Sequence, residues 1–397
     1  MTGRPIVILG DALQGGAANS TGRLIANLHR QGLPVKRWYF TPTPTDAPAH
    51  YCSLDSRVKR PGLERVLKNF SRLWADRLRH QRHSGALLQA VTACSPGLIN
   101  VRNVHDCGIN HDSLRALPRN LPLVWTMHDC WPFDRHAFTW STHGKTEHAA
   151  SDLAGAEERR EQFFKERPNV VLVSPSKWLA CEAKRAVPSG IRVEVIPNGI
   201  TTSQFTPLPK AEAKARLGLD AKRTWIASAS TWANTRKGID LLPPAMGQLD
   251  CSGLGLLCWG GEPPTSDFPA HLAVEYTGHI RDMDRSALMY AAVDLFLCPS
   301  RADNLPNTVL EAMASGTPVI GSDVGGIPDM VRPGETGWLH ENDNADSLAQ
   351  KIREALSQRD RWPTLQRRAR EVAVAEFDIE VNARNYRRLY EELLGGS

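Results

Sequence analysis

Two carboxylates stand eight positions apart in the stretch SRADNLPNTVLEAMASGTPVIGSDVGGIPD, Ser300 to Asp329. Asp303 lies among turn formers after the apolar run DLFLCPS. Glu311 falls inside TVLEAMASG, a short helical pattern with Gly316 as its natural stop. A second apolar run, TPVIGSD, and the glycine-rich turn VGGIPD follow. A separation of eight with one acid in a loop and one in a helix does not put both on one helix face. It suits two acids gripping different parts of one elongated ligand. Ionised carboxylates only accept hydrogen bonds and match vicinal hydroxyls. Free amides at the helix start match a phosphate between them. A sugar, a diphosphate and a ribose in line would fit such a site.

Three further stretches carry chemistry at the ends of apolar runs. In WIASASTWANTRKGIDLL, Arg236 and Lys237 precede Gly238 and an expected helix. Cations at a helix start oppose the dipole, which makes sense if a phosphate sits there too; the alternative is a solvated helix start. In LVWTMHDCWPF the strand tip delivers His128 and Asp129, with Trp131 and Phe133 as an expected apolar wall. A lone histidine is more often structural, but a strand-end position beside an aspartate favours contact with a sugar or a leaving group. In VILGDALQGGAANSTGRL, Gly15 and Gly16 let backbone amides approach an anion at a helix start. The full dinucleotide fingerprint is absent, so a plain strand-to-helix turn reads as well.

Those stretches need strands and helices to hold them. Runs such as PIVILG, VKRWYF, GLINVRN and VVLVSPS alternate with helical patterns in the first half, beginning with a helix from about Asn19 to Arg30, and RVEVIPNG closes it. TWIASAS, GLLCWGG, AVEYTGHI, LFLCPS and TPVIGSD repeat the rhythm in the second. Continuous apolar strands separated by helices imply parallel sheets covered on both faces, and two such series imply two doubly wound α/β domains. The Pro-rich stretch 195–213 marks the boundary: residues 1–205 form the first domain and 206–377 the second, with a C-terminal helix over 378–397. Asp282 and Asp284 in RDMD form an Asp-x-Asp pair, but the helical pattern after them argues for a helix N-cap rather than a metal site.

The 397 residues are 41% hydrophobic and 23% charged, an ordinary globular balance, and no run is apolar enough to span a bilayer. The N-terminus reads as too short and polar for a signal peptide. Eight cysteines are scattered without a C-x-x-C pair, so neither a zinc site nor a disulfide framework is suggested and a reducing cytoplasm is the simplest setting. His136, His143 and His148 are not spaced as a metal site. A net charge of +5 suits an anionic small substrate and does not call for nucleic acid. The charge is uneven: residues 57–83 hold nine Arg and Lys against two acids, with Leu63, Val66, Leu67, Phe70, Leu73 and Trp74 at helical spacing. This basic amphipathic helix is either a solvated helix packed on a core or a surface for anionic lipid or an anionic acceptor.

Asp303 and Glu311 followed by AMASGTPVI, with TMHD, VSPSKWLA, VIPNGI, RKG, GHIRDMDRSALMYAAVDLFLCPS and GGIPDMVRPGETGWL in order, resemble the retaining glycosyltransferases of family 4 over nearly the whole chain. The subgroup it looks like makes exopolysaccharide or O-antigen sugars. The resemblance implies a GT-B fold, two facing Rossmann-like domains with the C-terminal helix crossing back to the first. It implies that Glu311 binds ribose hydroxyls, Asp303 binds donor-sugar hydroxyls and Lys237 neutralises the diphosphate, with Gly15 and Gly16 passing close to it. His128 would contact the donor sugar near the reacting carbon, and the backbone near His279 and Ile280 would hold the base. Asn304, Leu305 and Thr308 join the implied donor site, and no metal or other cofactor is expected. The partners implied are a nucleotide-sugar donor and a glycan or lipid-linked acceptor, handled in the cytoplasm or at the inner face of the cell membrane. The chain departs from the family in three places. The first acid of the motif is usually Glu, Trp232 stands where an Arg is usual, with Arg236 as its substitute, and the segment after HDCWPF lacks the cysteines common there. A nucleotide-sugar 2-epimerase of the same fold, or an inactive scaffold in a polysaccharide assembly, are the rival readings.

Overall fold

A computed structural model describes residues 3–10, 16–41, 47–54, 72–104, 107–134, 136–139, 146–148, 155–230, 234–261 and 268–395. The chain divides into two compact units. The first carries strands β1 (Ile6–Leu9), β2 (Val35–Tyr39), β3 (Tyr51–Ser53), β4 (Leu98–Val101) and β5 (Leu123–Thr126). A small antiparallel pair, β6 (His136–Thr139) and β7 (Thr146–His148), precedes β8 (Val171–Ser174) and β9 (Arg192–Val195). Seven of these form one parallel sheet in the order β3-β2-β1-β4-β5-β8-β9. The second unit holds β10 (Thr224–Ala229), β11 (Leu254–Trp259), β12 (Ala273–Tyr276), β13 (Leu295–Cys298), β14 (Val319–Ser322) and β15 (Gly337–His340), a parallel sheet in the order β12-β11-β10-β13-β14-β15.

The apolar runs are continuous because both faces of each sheet are covered. Along β1, Val7 and Leu9 enter one core, while Ile6 and Ile8 enter the core on the opposite face. Along β13, Phe296 and Cys298 face one core and Leu295 and Leu297 the other. Side chains alternate with a period of two, so every position of such a strand must be apolar. Short outer strands escaped this pattern: β3 and β15 are too brief or too mixed to stand out as runs. The helix expected from Asn19 begins at Gly16.

The units divide at Pro197/Asn198 and again at Val381/Asn382, where sequence composition suggested 205/206 and 377/378. The segment after Pro197 belongs to the second unit because Ile200 and Phe205 are fully buried in its core. Ile200 also exchanges backbone hydrogen bonds with Phe377 and Ile379, at 2.9 and 2.8 Å. The final helix, Ile379–Gly395, belongs from Asn382 onward to the first unit. There Tyr386 and Tyr390 are buried beneath the first sheet, with the Tyr390 hydroxyl accepting from Asn100 at 2.6 Å and that of Tyr386 3.0 Å from the Thr126 hydroxyl.

The helix Arg72–Cys94 takes up the end of the basic stretch, whose residues 57–71 lie outside the described ones. Its second half packs Leu87, Ala90 and Val91 into the core that holds Val7 and Leu9. Among the described residues no helix is long and apolar enough to cross a membrane.

Candidate active site

In an open parallel sheet, ligands bind beyond the carboxyl ends of the strands where the order reverses. In the second sheet that point lies between β10 and β13, whose neighbours in space are not neighbours in sequence. The loops leaving these two strands carry Arg236–Lys237 and Asp303.

Beyond β10, Asn234 caps a 3-10 turn, Thr235–Lys237, by accepting from the Arg236 amide at 3.0 Å. Gly238 then takes a left-handed conformation, φ 64°. A Cβ there would stand 1.9 Å from the Pro299 carbonyl oxygen, so glycine is what lets the turn lie against the end of β13. No α-helix begins at Gly238; a second 3-10 turn, Ile239–Leu241, and a five-residue helix, Leu242–Met246, follow. The expectation of two cations opposing a helix dipole therefore does not hold. Their placement answers instead to the neighbouring loop.

That loop runs from Pro299 to Pro306 and leads into the helix Asn307–Ala314, so Asp303 is in the loop and Glu311 in the helix, as the pattern implied. The Arg301 amide donates to the Arg236 carbonyl at 2.7 Å, joining the two loops directly. Lys237 Nζ donates to Asp303 Oδ2 at 2.6 Å, Ser300 Oγ to the same oxygen at 3.3 Å, and the Asn304 amide to Oδ1 at 3.1 Å. Arg236 lies 3.7 Å from Oδ1 and donates to the Ala302 carbonyl at 2.8 Å. Burial opposes ionisation of Asp303, but the Lys237 ammonium, the Arg236 guanidinium and the bonds from Lys237 and Asn304 outweigh it, and the carboxyl lies below its usual range. Both oxygens are thus engaged by the protein. The acid thereby organises the two cations.

Arg301 braces the assembly from behind. It makes a two-pronged pair with Asp240 at 2.7 and 2.8 Å, donates to the Thr235 carbonyl at 2.6 Å and pairs with Asp343. Such forked geometry fixes orientation as well as charge. On the far side the turn after β14 closes in. Gly325, φ 57°, comes so near that a Cβ would lie 1.9 Å from the Asp303 carbonyl oxygen, and the Gly326 amide donates to that oxygen at 3.2 Å.

The remaining expected residues fall in both units. The helix Asn307–Ala314 has Pro306 at its N-cap, which offers no capping side chain, and no acid in its first turn. Thr308 is half-buried in that turn. Leu305 gives its side chain to the core. Glu311 is half-buried one turn on and accepts from the Tyr290 hydroxyl at 3.1 Å. Beyond β12, His279 is exposed while Ile280 packs against the core. Asp282 caps the helix Met283–Ala292, accepting from the Asp284 and Arg285 amides at 2.9 and 3.3 Å. In the first unit Gly16 opens the helix Gly16–Arg30, and Gly15 lies outside the described residues, as does Trp232. His128 is half-buried two residues past β5. Its neighbour Asp129 accepts from the Trp131 amide at 3.0 Å. Trp131 is not a wall residue: it is buried edge-on against Trp125, 5.8 Å between ring centres, because the core beneath it is aromatic. Tyr290, Trp259, Ser300, Arg301, Asp240 and Asp343 were not legible in advance, since no local spacing sets them apart from core or surface residues.

Two doubly wound parallel-sheet units, each with a reversal of strand order, define the GT-B class of fold. Residues 14–204 match the model of Glycosyltransferase Family 4, and residues 223–358 that of Glycosyl transferases group 1, together most of the chain. The chain belongs to the family 4 glycosyltransferases. It is 30% identical over 220 residues to a lipopolysaccharide core biosynthesis mannosyltransferase, LpsB, of Rhizobium meliloti strain 1021, covering 50% of this chain and 61% of the relative. The match spans about half the length of the curated relatives, 44% of some. Among solved structures, sucrose-phosphate synthase from Thermosynechococcus elongatus aligns with a TM-score of 0.74 at 24% identity, covering 99% of this chain and all of the other. Anabaena HepE in complex with UDP and glucose aligns with a TM-score of 0.71 at 16% identity, covering 98% and 100%.

Proposed function

We propose that the protein transfers a sugar from a nucleoside diphosphate sugar to a hydroxyl of a glycan or lipid-linked glycan acceptor, with retention at the anomeric carbon. The observation that carries this reading is the pair Arg236 and Lys237, held beside Asp303 at the reversal point of the second sheet. Preorganised cations at that point stabilise a departing diphosphate without having to reorganise during the reaction. The N-terminal end of the helix Asn307–Ala314 adds to this, since its first turn holds no competing acid. Glu311 takes the ribose, and the backbone beyond β12, at His279 and Ile280, takes the base. His128, at the tip of β5, contacts the donor sugar beside the reacting carbon.

Asp303, the carboxylate at the reversal point, is engaged at both oxygens and is not placed as a nucleophile of the glycosidase kind. The bond from the anomeric carbon to the diphosphate breaks as the acceptor oxygen bonds to the same face. The acceptor proton passes to the departing phosphate oxygen. Positive charge comes from side chains, so the reading includes no metal. Bound UDP in HepE and the mannosyltransferase name of LpsB support a nucleotide-sugar donor and a cell-surface product. Contact of residues 57–83 with anionic lipid at the inner face of the membrane belongs to the same proposal.

A screen of nucleotide sugars for thermal stabilisation tests the donor assignment, because only a ligand of the native state raises the melting point. With the best ligand, product analysis with and without glycan acceptor separates transfer from epimerisation. Anomeric configuration by NMR reports retention, and activity in excess chelator reports metal use. No stabilisation by any UDP or GDP sugar would remove the proposal.

A further inference from the structure

Tyr290, in the helix Met283–Ala292, is fully buried, yet its hydroxyl reaches Glu311 Oε2 at 3.1 Å. Its ring is wedged between three aromatic neighbours. Trp259 meets it edge-on at 5.0 Å, Phe296 at 5.4 Å and Phe205 at 6.0 Å between ring centres. Its backbone carbonyl is held as well, accepting from the Thr317 hydroxyl at 2.7 Å. The phenol therefore points in one direction, toward the acid. Burial pushes its pKa well above the usual range and the Glu311 carboxylate adds to this, while hydrogen bonding from Trp259 works the other way. Tyr290 stays protonated and donates at any working pH.

We propose that Tyr290 is a positioning residue for Glu311: its hydroxyl fixes one carboxylate oxygen, so that the acid presents a set plane to the two vicinal hydroxyls of the donor's ribose. This rests on the reading of Glu311 as the ribose ligand. A glutamate on a helix surface otherwise samples many rotamers, and a diol is gripped well only by a carboxylate whose plane is held. Each carboxylate oxygen has two acceptor sites, so the bond from Tyr290 leaves acceptor capacity for the ligand. The device ties the end of β11, through Trp259, to two helices, and recognition of the ribose is thereby built into the core rather than left to the surface.

The test uses the full chain, with UDP and GDP as probes beside their 2′-deoxy counterparts, by calorimetry. Tyr290→Phe removes one oxygen and keeps the ring, so the core is retained. We expect it to weaken binding of the ribonucleotide about tenfold, the size of one hydrogen bond to a charged group. Binding of the deoxynucleotide should change little, so discrimination between the two collapses. In turnover the loss should fall on KM for the donor more than on kcat. Glu311→Ala should abolish the discrimination outright. Wild-type discrimination in Tyr290→Phe, with discrimination lost in Glu311→Ala, overturns the proposal alone. Discrimination retained in Glu311→Ala overturns the ribose reading and the proposal with it.

Discussion

Lys237→Ala is the sharpest perturbation of the site. The Lys237–Asp303 contact is 2.6 Å with side chains 26% and 10% exposed, a largely buried pair. At an effective dielectric of about 20 its gross attraction is on the order of 6 kcal/mol, most of it offset by the cost of taking both charges out of water. Stranding a buried charge by removing its partner typically costs about 3–5 kcal/mol. Here Arg236 remains 3.7 Å away, and Ser300 and Asn304 still donate to the carboxylate. We therefore expect about 1–3 kcal/mol, a fall of roughly 3–10 °C in the melting of the second unit. Turnover should fall by two to three orders of magnitude, about what one lost transition-state charge partner costs. Asp303→Asn alone should also destabilise, and the double variant Lys237→Ala/Asp303→Asn should recover part of the loss, because neither charge is then stranded. Thermal melts of the four proteins and initial rates of sugar transfer decide it. Strict additivity would refute the pairing argument, and wild-type transfer by Lys237→Ala would refute the role of the cation at the diphosphate.

Gly325→Ala should lower both the melting temperature and turnover, since the new Cβ would lie 1.9 Å from the Asp303 carbonyl oxygen and Gly325 has φ 57°; rates and melts like wild type would contradict that close approach. Asp303→Glu adds a methylene inside a filled cage and should change turnover and donor choice more than nucleotide affinity, read from kinetics on a donor panel. His111 sits among Trp125, Trp131 and Phe163, 2.8 Å from the Pro132 carbonyl. Burial lowers its pKa to about 3, with the Pro132 contact opposing and Arg160 and Arg159 reinforcing. The fold keeps it neutral while the unfolded chain takes up a proton below about pH 6.5, so stability is lost by about 1.4 kcal/mol per pH unit as pH falls from there toward 3. Melts of His111→Phe between pH 7 and 4 should show a shallower acid slope than wild type; equal slopes would reject it.

Local order was legible in the sequence wherever a single segment determines it. The run LFLCPS had to be a strand buried on both faces. Asp282 had to cap the helix that follows it. Gly316, φ 68°, had to end the helix bearing Glu311. With these, one acid in a loop and one in a helix follow from residue order alone. The family motif adds which residues belong together, but not what they touch. Tertiary structure alone decided that Asp303 spends its oxygens on Lys237, Ser300 and Asn304, that Arg301 braces the cation turn, and that Tyr290 holds Glu311. It also decided that Trp131 is core and that Ile200 and Phe205 belong to the second unit. The physical reason is the strand order. Lys237 and Asp303 lie 66 residues apart and meet only because β10 pairs with β13 across a crossover. That pairing is settled by the packing of a whole sheet between two cores, and no window of sequence contains it.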